Sequence, residues 1–409
     1  MGVPFPTLRA PSSLALVRGA GVLGTTEMFC LCSIARVWTE GGMEGQWIGR
    51  FAGTNPGNAI VDVDPVLAGF DVSAQVFDDN PSLPGILARF MVPAGSPTFE
   101  TEVDLRPLDP RRGWLLLPDD LQEVFPGVVV PATATVKINH APERMQVSWT
   151  TTVGTAGGGD LLPSQVCQPS KCPVVPEVKD WRSFKEFASS LPPETFIYRG
   201  QATSRRLRTS FHRTKRKNLP RYIEQDLNAL YLHVIAATGR VFNMANPLEN
   251  GAIYNLVQHH GYPTPLLDWS HSPYIAAFFA FRYTNLAEPA EYVRIFVFDK
   301  ASWLTRYPPQ SGLTYRPLHF SIQEYMAIEN NRMIPQQGIS TMTNMDDIEA
   351  GIAAMEEGGP VCLRAIDLPL DERALAMRDL ATMGITAGAL FPGLDGTCEA
   401  LKNRFFGFD

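Results

Sequence analysis

The sequence predicts a chain of two parts, an all-β sandwich or barrel followed by an α+β domain. Residues 27–152 carry short apolar runs that alternate with turn signals, and they contain no amphipathic helix of three turns. After residue 178, helical and strand-like segments mix without a regular βαβ repeat, which favours α+β over a doubly wound sheet. Between the two parts, residues 153–178 are rich in Gly and Pro, a composition typical of linkers.

The first half is predicted to hold about seven or eight antiparallel strands. Residues 1–26 precede them as an N-terminal extension. Candidate strands are rich in Val, Ile, Phe and Thr, and turns such as GTNPGN and DDNPSLPG separate them. The segment GQWIGRF predicts an interior filled by aromatic side chains; Trp47 and Phe51 at a ligand-binding mouth are the alternative. This half has no catalytic constellation, so we interpret residues 27–152 as a recognition, docking or sensor module.

The second half, residues 179–409, begins with a helix for which Asp180 is the expected N-cap. FIYRGQ and TPLLDWS are predicted strands, and Ser272 and Pro273 are expected to start the apolar helix that follows them. The sequence contains neither GxGxxG nor GxxxxGK[ST]. Rossmann-type and P-loop nucleotide sites are therefore not expected.

Composition and charge limit the classes of function. The net charge is −7, and residues 1–150 hold 10 Lys and Arg against 16 Asp and Glu, so the acidity lies in the first half. The six cysteines follow no zinc-ligand spacing, and free thiols with no metal are expected. No apolar run is long enough to span a membrane, and the N-terminus does not resemble a signal peptide. These features predict a cytoplasmic protein without a membrane partner; its oligomeric state is left open.

A basic run lies between Arg205 and Arg221, with eight Lys and Arg residues. A solvated face is the simpler interpretation of such a run. The sharper alternative is a loop that attracts a polyanion such as RNA, or a ligand that carries phosphate.

Four blocks of special residues occur in the second half, and together they resemble the FRG domain, which is named for its (F/Y)-R-G signature. The resemblance covers roughly residues 178–405. His260 and Ile339 depart from it, because aromatic residues are usual at both positions. The blocks are Tyr198-Arg199-Gly200-Gln201, His259-His260-Gly261-Tyr262-Pro263-Thr264 with Leu266-Leu267-Asp268-Trp269-Ser270, Gln336-Gln337-Gly338, and Leu390-Phe391-Pro392-Gly393-Leu394-Asp395-Gly396.

The same arrangement resembles, more distantly, that of ADP-ribosyltransferases, which implies NAD as a substrate. On this resemblance the expected catalytic residues are Arg199, His259, Asp268 and Gln337. A guanidinium can bind the pyrophosphate of NAD with two parallel hydrogen bonds, and a histidine can act as acid or base near neutral pH. A neutral glutamine cannot stabilise a cation as a carboxylate does, so Glu324 or Glu329 is the alternative to the Gln pair. The residues expected to contact NAD are Arg199, Gly200, Gln201, Thr264, Ser270 and Gln336.

Three functions compete. The first is an effector or toxin of bacterial or phage-linked type, acting for example in anti-phage defence, which consumes NAD or modifies a protein or nucleic acid recognised by residues 27–152. The second is a binding module without chemistry that contacts nucleic acid or a phosphorylated ligand through Arg205–Arg221. A metal-dependent nuclease ranks last because no carboxylate cluster is visible. Trp269 is expected to be a core residue rather than a stacking platform.

Overall fold

The computed structural model describes residues 42–244, 246–282, 291–310 and 315–407. The predicted N-terminal extension and the first predicted strand, residues 27–38, lie outside the described residues, as do Cys30 and Cys32. Cys172, Cys362 and Cys398 are free thiols. No helix of the described part is long and apolar enough to cross a membrane.

The first half forms an antiparallel barrel of eight strands, which confirms the predicted all-β class. Neighbours along the chain are neighbours in the sheet. The barrel closes where Gly85–Ala88 pairs with Leu105–Leu108, and where the first strand pairs with the last. The strands are β1 Gly45–Gly53, β2 Gly57–Val66, β3 Gly69–Asp78, β4 Gly85–Pro93, β5 Thr98–Asp109, β7 Thr133–Ala141, β8 Arg144–Thr151 and β9 Ala156–Pro163. A two-residue strand β6, Trp114–Leu115, pairs with the end of β5, and a short helix α1, Pro118–Val124, lies between β6 and β7.

The predicted linker, residues 153–178, is not a linker along its whole length. Its first part contains β9, which pairs with both β1 and β8 and so completes the barrel. The glycines that suggested a flexible segment instead allow close packing of backbones. A Cβ on Gly159 would lie 2.3 Å from the carbonyl oxygen of Arg50 on β1. Residues 164–178 then run along the second half, where Val174 forms a bridge with Ala365.

The second half is a mixed α+β region built on one antiparallel six-stranded sheet, as predicted. The sheet order is β13-β14-β11-β10-β12-β15, which places β11 and β10 at its centre. The strands are β10 Phe196–Gln201, β11 Leu266–Ser270, β12 Tyr292–Asp299, β13 Phe320–Gln323, β14 Gly338–Thr343 and β15 Leu363–Pro369. The helices are α2 Trp181–Ser190, α3 Leu219–Arg221, α4 Asn228–Thr238, α5 Pro247–His259, α6 Pro273–Arg282, α7 Lys300–Arg306, α8 Ile348–Met355, α9 Arg373–Thr382, α10 Ala387–Leu390 and α11 Leu394–Phe406, with a π-helical turn Tyr222–Leu227 and a 3₁₀ turn Leu370–Glu372.

Local signals placed the helices that flank the central strands. The Asp180 carboxylate accepts a 2.7 Å hydrogen bond from the backbone N–H of Ser183 and caps α2. The hydroxyl of Ser272 likewise accepts from the N–H of Ile275 at 3.3 Å, at the start of α6. Trp269 is 3% exposed, and its Nε1 donates to the Thr341 hydroxyl at 2.9 Å, so it is a core residue as expected.

The barrel is docked on the α+β region through polar contacts, and part of the basic run takes part in them. Asp64 on β2 has a fully buried side chain that accepts hydrogen bonds from Arg216 Nε at 3.2 Å and from the N–H of Asn218 at 3.1 Å. Arg221 pairs with Asp71 on β3 at 3.2 Å. Arg89 on β4 forms a two-pronged pair with Glu224, at 2.7 and 2.9 Å.

Two further cations of the run pair with carboxylates inside the α+β region. Arg206 binds Asp347 at 2.5 Å, with both side chains almost fully buried, and Arg208 binds Asp346 at 2.6 Å. Four of the eight basic side chains, Arg206, Arg208, Arg216 and Arg221, are therefore committed to internal carboxylates. Two of these four pairs, those of Arg216 and Arg221, join the run to the barrel, and the other two lie within the α+β region.

Candidate functional site

The centre of the six-stranded sheet opens at the YRGQ strand. Among the described residues, β10 and β11 are joined by one register pair, Tyr198 with Ser270, whereas β10 and β12 pair along six positions. Next to that pair, the contact between the two strands is made by a side chain. Nη1 of Arg199 donates a 2.6 Å hydrogen bond to the carbonyl oxygen of Asp268. The separation of the two strands thus creates the space that Arg199 occupies.

Arg199 is half-buried and incompletely paired. Its Nε is buried without a hydrogen-bond partner among the described residues. Desolvation by burial lowers the pKa of Arg199 to about 10, the nearby charge of Asp268 raises it, and Arg213 lowers it further. The guanidinium remains charged at neutral pH, and its position carries a desolvation cost that an anionic ligand would offset.

Asp268 presents its carboxylate to solvent from the middle of β11. Gln258 Nε2, at the end of α5, donates to Oδ2 at 2.5 Å, and the Ser340 hydroxyl on β14 lies 3.4 Å from Oδ1. The hydroxyl of Thr264 donates in turn to the Oε1 of Gln258, which fixes the orientation of that amide. The carboxylate is thus held in place by neutral donors and lies beside an arginine.

His259 completes the group. Its side chain is half-buried, and its Nε2 is buried without a hydrogen-bond partner among the described residues. Burial lowers the pKa of His259, while Asp268 raises it and Arg332 lowers it. The lowered pKa favours the neutral imidazole, and a hydrogen bond with the Asn330 side chain acts in the opposite direction. We call Arg199, Gln258, His259 and Asp268 the Arg199 site.

Residues 194–288 match the model of the FRG domain. The chain contains an FRG domain. The matched segment includes every member of the Arg199 site: the YRGQ block and the HHGYPT–LLDWS block supply Arg199, His259 and Asp268, and Gln258 lies directly before the second block. The segment is shorter than the range 178–405 expected from the four blocks. The comparisons provide no evidence for the resemblance to ADP-ribosyltransferases. A search of curated proteins found no match to this chain.

Four residues predicted to contact a ligand instead make their described polar contacts within the fold. Thr264 is fully buried and orients Gln258. The Ser270 hydroxyl donates to the carbonyl of Gln336 at 2.8 Å, and the Gln336 amide donates to the carbonyl of Leu390 at 3.0 Å. Gln201 Nε2 donates to the carbonyl of Arg205 at 2.9 Å. The contacts of Ser270 and Gln336 tie the QQG and LFPGLDG blocks to β11, beside the site.

Gln337 does not join the Arg199 site in the described structure. It is exposed, with a φ of 46°, and its carbonyl accepts from the N–H of His271 at 2.9 Å. No contact among the described residues links its side chain to Arg199, His259 or Asp268. Glu324 acts electrostatically on His271, and Glu329 is an exposed loop residue with a φ of 53°. The carboxylate beside Arg199 is therefore Asp268, not either of the two glutamates.

Two more arginines surround the site. Asp268 acts electrostatically on Arg213, and Arg332 acts on His259 while its guanidinium lies 5.4 Å from the centroid of the Phe391 ring. Among the described residues, Arg199, Arg213 and Arg332 form no ion pair with a carboxylate closer than 4.0 Å. The site therefore carries excess positive charge around one carboxylate. The described residues also contain no group of three or more His, Cys, Asp and Glu that could hold a metal ion.

Sequence reasoning missed Gln258 and Ser340. Gln258 lies directly before the HHG block and interrupts a buried apolar run on α5, and that was the available signal. Ser340 gave no signal in the sequence, because only the register Asp268 with Ser340 brings it to the site.

Gly200, which is expected to contact a ligand, packs closely against a helix in the structure. A Cβ at this position would lie 1.9 Å from the carbonyl oxygen of Ala276 and 2.7 Å from the nitrogen of Ala280, both on α6. We expect Gly200→Ala to reduce the free energy of unfolding by about 1–3 kcal/mol, because the helix must move. Urea denaturation measures this. Gly338→Ala is the matched control, since its nearest neighbour would lie at 3.4 Å; equal stabilities of the two variants would contradict the packing role.

Proposed function

We propose that the FRG domain binds NAD at the Arg199 site and consumes it in an ADP-ribosyltransferase-like reaction. The observation that carries the proposal is the placement of an incompletely paired arginine beside the ordered, solvent-facing carboxylate of Asp268. This pairing provides a cationic contact for a pyrophosphate and an anionic contact for a developing positive charge.

The proposed chemistry divides among the three ionisable residues. The glycosidic bond between ribose and nicotinamide breaks, and its electron pair leaves with nicotinamide. The Asp268 carboxylate stabilises the cation that develops at the ribose carbon. Neutral His259 takes the proton from the attacking group, a water or a target side chain, as the new bond to ribose forms. Arg199, with Arg213 and Arg332 nearby, binds the phosphates.

Substitution of Asp268 by Asn tests the catalytic part of this proposal. The amide oxygen can still accept from Gln258, so the fold and NAD binding are expected to persist. The rate of NAD consumption is expected to fall by about 10²- to 10³-fold, as when an electrostatic stabiliser of a transition state is removed. Release of nicotinamide by the purified protein, followed by chromatography, is the measurement.

The control is Glu324→Gln, which removes a carboxylate outside the site and should leave the rate unchanged. Wild-type protein that neither binds nor consumes NAD would contradict the proposal. An Asp268→Asn variant as active as the wild type would contradict the assigned role.

We further propose a cytoplasmic effector or toxin, for example in anti-phage defence, whose barrel senses or docks a target. This rests on the resemblance to FRG proteins of bacteria and phages. The alternative, a module that binds nucleic acid or a phosphorylated ligand through Arg205–Arg221, has less support, because half of those cations are paired internally. NAD that stabilises the protein without being consumed would favour the binding module, with the Arg199 site as its anion contact.

A further inference from the structure

The barrel encloses a cavity of about 230 Å³ that no role described above uses. Its walls come from the inward-facing side chains of the eight strands. The space exists because several inward-facing residues are small. Larger apolar side chains at these positions would fill the interior, and Gly159 has no side chain. The inward-facing alanines are Ala59, Ala74, Ala88 and Ala134. An eight-stranded barrel is wide enough either to be filled by its own side chains or to hold one small ligand. The interior of this barrel is not filled by its own described side chains.

One end of the cavity is closed and the other is open. The ring of Trp47 lies 5.2 Å from that of His140, edge to face, and its Nε1 donates to the carbonyl of Met43 at 2.9 Å, which seals one end. Trp149, by contrast, packs edge to face against Phe51 at 5.1 Å and lines the cavity, yet it is only partly buried. Apolar side chains inside the barrel are thus exposed to solvent through the open end.

The open end combines an apolar loop with a few polar groups. Residues 128–131, Val-Val-Val-Pro, line the cavity, and Val129 is 78% exposed. Besides Trp149, the lining side chains that can form hydrogen bonds are Thr54, Asn55, Asp78, Thr151 and Thr155. No Lys or Arg is among the described residues that line the cavity. A carboxylate head group would therefore meet Asp78 without a compensating cation, whereas a hydroxyl or an amine would find acceptors.

We propose that the barrel is a binding site for a neutral, mainly apolar small molecule with one polar end. A cavity of about 150 Å³ lined by apolar side chains is sufficient for benzene. The larger space here fits a substituted ring or a short aliphatic chain whose polar end faces Asn55 and Asp78. Free fatty acids are excluded by the charge at the mouth.

The test uses the full-length chain and N-phenyl-1-naphthylamine, an uncharged apolar fluorophore. We expect saturable 1:1 binding with enhanced emission, displaced by straight-chain alcohols from 1-butanol to 1-octanol. Affinity should rise by about fourfold for each methylene added. Octanoate at pH 8 should compete at least tenfold less well than 1-octanol.

Ala74→Phe on β3 fills the cavity and is expected to abolish fluorophore binding. Ala52→Phe on β1 is the matched control, because Ala52 is exposed outside the barrel. If Ala74→Phe loses the native circular dichroism spectrum, Ala74→Leu, which adds less volume, replaces it. The proposal is overturned if the fluorophore does not bind, if octanoate competes as well as 1-octanol, or if a folded filling variant binds like the wild type.

Discussion

Arg199→Met is expected to weaken NAD binding by roughly 10- to 150-fold, the range for loss of a hydrogen-bonded charged contact. The same substitution should change the free energy of unfolding by less than about 1 kcal/mol. Burial lowers the pKa of Arg199 to about 10, so the folded state already disfavours its charge at neutral pH. A buried charge replaced by an apolar side chain of similar length is often neutral for stability.

Calorimetric titration with NAD and urea denaturation, done on the same preparations, separate the two effects. Arg199→Lys keeps the charge but loses the planar fork, and we expect it to recover only part of the affinity. Lys215→Met serves as the control, because it removes an exposed cation from the same domain. A large loss of stability in Arg199→Met with NAD affinity intact would assign Arg199 a structural role.

Local sequence signals predicted several elements of the second half well. The Asp180 cap, the start of α6 at Ser272 and the core position of Trp269 all depend on neighbours within a few residues, and the structure confirms each. Where the chain contacts itself at long range, the predictions were weaker. Gly157–Gly159 have linker composition, and only their pairing with β1 and β8 shows them to be part of a barrel.

The candidate site was half predictable for the same reason. Arg199, His259 and Asp268 stood out because special residues were dense around them. Gln258 and Ser340 reach Asp268 through the position of α5 and the register of β14, and neither is visible as spacing. Gln337 was expected to complete the site on resemblance alone. Its carbonyl is instead engaged by His271, and the described contacts leave its side chain outside the group.

The basic run shows that the function of charged residues cannot be inferred until their interaction partners are known. From the sequence alone, eight basic residues within 17 positions suggest that this segment binds a polyanion. The acidic first half supplies two of the partners: Asp64 and Asp71 on the barrel accept hydrogen bonds from Arg216 and Arg221. The charge imbalance between the two halves is therefore, in part, complementarity between two surfaces that are joined in one chain.

Asp64→Ala should accordingly lower the free energy of unfolding by about 3–5 kcal/mol. The substitution leaves the buried N–H groups of Lys217 and Asn218 without their acceptor, and it removes one of the two carboxylates that neutralise Arg216, the other being Asp226. Urea denaturation followed by tryptophan fluorescence measures the loss.

Asp79→Ala is the matched control on the same barrel. The side chain of Asp79 is 41% exposed and that of its partner Arg50 is 60% exposed, so this ion pair should contribute about 0–1 kcal/mol. Equal effects of the two substitutions would mean that the buried contacts at Asp64 do not hold the barrel against the FRG domain. A large loss of stability in Asp64→Ala, with little change in Asp79→Ala, would instead show that the basic run holds the barrel and the FRG domain together.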